Sequence, residues 1–269
     1  MADNVLLAFG LTLMAGLATG IGSILAFFTS RTNTKFLSLA LGFSAGVMIY
    51  ISMIEIFFKA QDSLISSLGE TQGKWVTVIS FFAGMILIAL IDNFIPKHNN
   101  PHELKKVEDM NKPAESVIGD QSLMKMGVFA ALAIGIHNFP EGIATFVSAL
   151  NDPALGISIA IAVAIHNIPE GIAVSVPVYF ATGSRKKAFK LSFLSGLSEP
   201  LGALVAFLIL MSFLNDFVFG IIFAAVAGIM VFISLDELLP AAKKYDEAHT
   251  SIYGLMAGMA VMAISLLIM

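Results

Sequence analysis

The chain has 269 residues, of which 57% are hydrophobic and only 13% charged, with a mean hydropathy of +0.88 and a formal net charge of −4. A soluble globular domain carries roughly 25% charged residues, so this composition excludes a water-soluble fold and makes the lipid bilayer, not nucleic acid, the expected partner. The absence of cysteine excludes disulfides and thiolate metal sites.

Taken in chain order, the apolar runs mark eight predicted spans. A hydrocarbon core of about 30 Å needs roughly 20 apolar residues per helix. Only helices or closed barrels satisfy the backbone in lipid, and continuous rather than alternating apolar runs exclude the barrel. The first span covers 4–28; Asp3 is the only charge before it, which argues against a cleaved signal peptide. The second (36–58) holds "AGVMIYISMIEIFF" with Glu55, and Met53 is the one methionine beside an acid. The third covers 75–96, with Asp92 near its end. A polar segment, 97–122, follows as a loop containing His98 and His102, which the sequence favours as solvated side chains over metal ligands. The fourth (123–149) and fifth (154–180) carry "HNFPEGIA" and "HNIPEGIA". The sixth (187–213) contains "GLSEPLGALVAF", the seventh (217–241) "AGIMVFISLDELLP", and the eighth covers 250–269.

The connections alternate in charge. Those after the odd-numbered spans hold 13 of the 15 basic residues, leaving only Lys59 and Lys74 on the other side. By the positive-inside rule both termini face out and the 97–122 loop is cytoplasmic. The chain is thus expected to be one transmembrane domain, 1–269.

Similar segments recur five spans apart. "GLATGIGSILAF" (16–27) matches the sixth span, "AGVMIYISMIEIFF" (45–58) the seventh, and the two HN-x-PEG copies lie 29 residues apart on adjacent spans. An odd offset reverses the direction of each copy, so the expected fold is all-α with eight transmembrane helices in a 3+2+3 inverted repeat. Secondary transporters commonly place their site at the midplane of such repeats.

The ionisable residues inside the spans are Glu55, Glu141, Glu170, Glu199, Asp236 and Glu237, and no Lys or Arg lies well inside. Each buried charge costs about 2.5–3.5 kcal/mol on insertion scales. Without a basic partner, the compensating charge is a proton or a bound cation. His137, Asn138 and Glu141 share one helical face, as do His166, Asn167 and Glu170. Imidazole, amide and carboxylate together suit divalent first-row metals, zinc and ferrous iron among them. Glu199, beside a proline in an apolar helix, is expected to be a further ligand; its partner in the repeat is Thr19. Glu55 and Glu237 occupy matching places and are expected along the pathway as acidic groups at its two mouths, or else as snorkelling acids at helix ends. Pro140 and Pro169 leave a helix carbonyl without its amide partner, and Gly142 and Gly171 allow close helix approach.

The tandem "HNFPEGIA" and "HNIPEGIA" with "GLSEP" resemble the ZIP family of divalent metal transporters, in particular its bacterial zinc-uptake branch, and the resemblance covers essentially the whole chain. It implies a binuclear centre between spans four, five and six. His137, Glu141, His166 and Glu170 would hold one metal, and Asn138, Glu141, Asn167, Glu170 and Glu199 the second, with both motif glutamates bridging. It also implies Zn²⁺ as the transported substrate, with Fe²⁺, Mn²⁺ or Co²⁺ as further substrates and Fe²⁺ or another divalent metal allowed at the second site. Location is expected in the bacterial inner membrane, and a homodimer is open. Two rival readings stand beside this one. A divalent cation-selective channel shares the acidic lining. An intramembrane metallohydrolase would also need zinc, but the H-E-x-x-H spacing and a spare general base are missing.

Overall fold

A computed structural model describes residues 2–28, 34–93, 121–210, 215–244 and 249–268. All regular structure among them is helical. Eight helices follow in order: α1 (Ala2–Phe28), α2 (34–68), α3 (Glu70–Asn93), α4 (Gln121–Asn151), α5 (Pro153–Thr182), α6 (185–210), α7 (216–244) and α8 (Thr250–Ile268). Seven stretches are long and apolar enough to cross a membrane, one in each helix other than α4. The remaining helix, α4, has 31 residues and carries the first HN-x-PEG copy.

The ends are set by local chemistry. Asp152 caps α5 by accepting from the amides of Ala154 and Leu155, with Pro153 as the first helical residue, where its missing N–H costs nothing. Gly183, at φ 63°, closes the same helix; this left-handed position favours glycine. Helix α2 runs ten residues past its expected end. Lys59 and Asp62 interrupt the apolar run, yet Ala60 and Leu64 keep one buried face for another two turns. The helix stops only at Gly69, φ 83°.

Among the described residues three of the helices contain a π-helical turn: Ser52–Ile56 in α2, Ala206–Leu210 in α6 and Ser234–Leu238 in α7. The first and third hold Glu55 and Glu237. Helix α6 is also interrupted at Leu197, two residues before Glu199.

Backbones meet where side chains are smallest. A Cβ added at Gly142 would lie 2.0 Å from the Glu199 carbonyl oxygen, so α4 lies directly on α6. A Cβ at Gly171 would lie 1.9 Å from the Thr19 carbonyl oxygen, which sets α5 on α1. In the same manner Gly46 approaches Leu255 to join α2 and α8, and Gly84 approaches Ala225 to join α3 and α7. Close approach through small residues is how helices associate where lipid offers no hydrophobic drive. The outer surface is correspondingly apolar: Trp75, Ile79, Phe82, Ile86 and Leu90 form an exposed row along α3. A face of this size and spacing fits lipid rather than water. Inside lie His137, Asn138, Glu141, His166, Asn167, Glu170 and Glu199.

Candidate metal centre

The two HN-x-PEG motifs lie on adjacent helices, with Pro140 within α4 and Pro169 within α5. Their side chains cross. His137 Nε2 lies 3.1 Å from Glu170 Oε1, and His166 Nε2 lies 3.1 Å from Glu141 Oε2. Each imidazole on one helix therefore faces the carboxylate of the other. All four residues are buried, as are Asn138, Asn167 and Glu199. The third helix contributes through Asn167, whose Nδ2 donates to the Ala15 carbonyl oxygen at 2.9 Å and to the Glu199 carboxylate. Seven sequence-predicted ligands thus come from α4, α5 and the second segment of α6.

Several of their polar atoms have no hydrogen-bond partner. Glu141 Oε1, Glu199 Oε2, Asn167 Oδ1, His166 Nδ1 and both side-chain polar atoms of Asn138 are buried in this condition. A buried polar atom without a partner costs about 1–3 kcal/mol, and native structures keep few of them. Among the described residues six such atoms lie on this one set of side chains, all of types that donate lone pairs to a divalent cation. Among the described residues the acids and histidines stand as pairs; no three of them form a ready-made ligand cluster.

The two remaining acids part company. Glu237 is buried and its Oε2 lies 3.7 Å from His137 Nδ1. It thus stands beside the His137–Glu170 pair. Glu55 does not reach the centre: it pairs at 3.2 Å with Lys59 one turn further on, and Lys59 also meets Asp152 at 3.3 Å. The expectation that no intramembrane acid has a basic partner therefore fails at Glu55, because α2 continues past the apolar run and carries Lys59 with it. Asp236, next to Glu237, is exposed, as is Met53. His98, His102 and the side chain of Asp92 lie outside the described residues. The Lys59–Asp152 contact was missed by sequence reasoning; the Asp-Pro dipeptide that signals a helix start was its only local sign.

Residues 92–266 match the family described as ZIP Zinc transporter. The chain is similar to a zinc transporter ZupT of Lysinibacillus sphaericus, 74% identical over all of both chains. It is 74% identical to a zinc transporter ZupT of Oceanobacillus iheyensis over 99% of each chain. A zinc transporter ZupT of Clostridium perfringens is 60% identical over 99% of this chain and 97% of its own.

Proposed function

The chain belongs to the ZIP family of zinc transporters, and from that premise we propose that it carries Zn²⁺ into the cytoplasm through a binuclear site between α4, α5 and α6. It is a multi-pass transporter of the bacterial inner membrane and not an enzyme. The crossed His137–Glu170 and His166–Glu141 pairs carry the proposal. Two helices that each need the other's carboxylate form a site only while they stay together, and a movement between them changes its ligand set.

His137, Glu141, His166 and Glu170 hold the first ion. Asn138, Glu141, Asn167, Glu170 and Glu199 hold the second, with the two motif glutamates bridging. The partnerless atoms at Glu141, Asn138, Asn167 and Glu199 support this assignment. Fe²⁺, Mn²⁺ and Co²⁺ are further substrates, since mixed oxygen and nitrogen donors discriminate poorly among first-row ions. Fe²⁺ is a candidate for the second position.

The fold is a 3+2+3 inverted repeat with both termini outside; the cytoplasmic loop expected at 97–122 lies outside the described residues except for 121 and 122, which open α4. Three observations support the repeat. Gly142 on Glu199 and Gly171 on Thr19 are the same contact under exchange of α4 with α5 and α6 with α1. The α2–α8 and α3–α7 packings exchange in the same way. The π-turns at Ser52–Ile56 and Ser234–Leu238 occupy matching places. Rocking of one helix set against the other then opens the centre to each side in turn. An inside-negative potential of about 100 mV favours inward movement of a double charge by about 4.6 kcal/mol. Release follows protonation of an imidazole or a bridging carboxylate, because both ligate only when deprotonated. Replacing Glu170 by Ala is expected to abolish zinc uptake while the protein still inserts; radioactive zinc accumulation at the wild-type rate contradicts the assignment.

A further inference from the structure

Two buried side chains play no part in this reading. Thr145 and Ser148, on the half of α4 beyond the motif, are fully buried, and neither hydroxyl has a hydrogen-bond partner among the described residues, a condition shared with the hydroxyls of Thr19, Ser38 and Ser52. Helical hydroxyls normally return to the carbonyl four residues back, and those of Thr12, Ser44, Thr77 and Ser234 do so here. Positions 138, 141, 145 and 148 follow one another at alternating steps of three and four, so they share one stripe of α4, and Asp152 follows just past the last residue of that helix. The stripe begins at Asn138 and Glu141 in the metal centre. It leads to Asp152, whose amide still bonds the Ser148 carbonyl oxygen and whose carboxylate meets Lys59. From residue 141 to residue 152 the rise is about 16 Å, close to half of a hydrocarbon core of about 30 Å.

The matching positions of α5 carry no hydroxyl. Twenty-nine residues on, the positions matching Thr145 and Ser148 in α5 are Val174 and Pro177. The asymmetry is informative, because the motifs themselves are duplicated almost letter for letter. We propose that Thr145 and Ser148 are ligating steps on the route by which a divalent cation reaches the metal centre from the face bearing Asp152 and Lys59. Each hydroxyl replaces a water of the arriving ion with a neutral oxygen. A carboxylate at either place would hold the ion too firmly to pass it on. The proposal rests on the transport reading above and adds a direction to it.

The lack of cysteine in the chain makes the test clean. Ser148→Cys and Thr145→Cys each introduce a single thiol, to be probed with a membrane-impermeant methanethiosulfonate during zinc transport, in right-side-out and in inverted vesicles. Both thiols are expected to react from the outer side, and zinc at ten times its dissociation constant slows the reaction roughly tenfold by occupancy. Val174→Cys is expected to stay unreactive from that side. Failure of both thiols to react, reaction only in inverted vesicles, or equal reaction at Val174→Cys overturns the proposal. The Thr145→Val/Ser148→Ala double variant supplies the second measurement: zinc uptake falls several-fold while equilibrium zinc binding to the purified protein is kept. Unchanged uptake also overturns the proposal. Glu170→Ala, assayed alongside, separates the two levels: if it transports normally the metal-centre reading fails, and if it is inactive while the thiols are silent only the stripe fails.

Discussion

Replacing Gly142 by Ala adds one methyl group where α4 lies on α6. The new Cβ would sit 2.0 Å from the Glu199 carbonyl oxygen and 2.6 Å from the Glu199 Cα. Ordinary contact begins at 3.4 Å, so the helices must part by about 1.4 Å, an overpacking that costs about 1–3 kcal/mol. The obstacle is backbone, which has no rotamer by which to yield. Because Glu199 itself is the residue displaced, its carboxylate moves away from Asn167 and from the paired motifs. A displacement of about 1 Å at a reacting centre costs on the order of 100-fold in rate, and a comparable loss of zinc uptake is expected. The assay is radioactive zinc uptake at matched membrane abundance, together with the heat-aggregation midpoint of the purified protein in detergent. Gly10→Ala is the control: nothing lies within 4 Å of its added Cβ, and alanine is the better helix former by about 1 kcal/mol, so the midpoint should hold or rise. Wild-type uptake and midpoint in Gly142→Ala would refute the close approach of α4 and α6 on which the three-helix centre depends.

Asn167→Ala removes the donor to both Ala15 and Glu199, leaving buried acceptors without partners at about 1–3 kcal/mol; a lower detergent melting midpoint and reduced uptake are expected. Glu199→Gln, by contrast, keeps an acceptor for Asn167 and should melt near wild type while zinc uptake stays low, which separates a ligand from a structural acid. At Asp152, burial pushes the carboxyl up, but the Leu155 amide, the Lys59 ammonium and the Ala154 amide outweigh it and hold the group below the ordinary aspartate range. A depressed folded value means a stabilisation present above about pH 4 and lost as pH falls through the lower folded value. Asp152→Asn retains the helix cap and loses the charge, so its melting midpoint should fall less than that of wild type as pH drops below about 4. An equal acid dependence in the two proteins would remove Asp152 as its source.

The helices were legible because lipid tolerates so few alternatives: a run of about 20 apolar residues has to be a helix. The boundary of α2 was not, since charge ends an apolar run without ending a helix whose buried face, Ala60 and Leu64, continues. Within the centre, spacing alone put His137 and Glu141 on one face, but the crossed pairing of His137 with Glu170 is a tertiary fact that no single helix encodes. Glu55 and Glu237 illustrate the limit best. Their segments look alike, so the sequence treats them as equivalent, yet one turns to Lys59 and the other to His137. A repeat predicts matching backbones; the neighbours that each side chain meets are drawn from different surroundings. Thr145 and Ser148 escaped notice for a plainer reason, because a hydroxyl on a helix is ordinarily satisfied by its own backbone.

The wide turns at Ser52–Ile56 and Ser234–Leu238 have a mechanical corollary. Each accommodates a surplus residue, because its i→i+5 bonds take up one residue more than an i→i+4 ladder needs. Excising one residue from 52–56 would heal that turn into regular α-helix and leave the segment beyond it facing as before, with Lys59 still toward Asp152. In regular helix on either side the same excision would swing everything beyond it by about 100°.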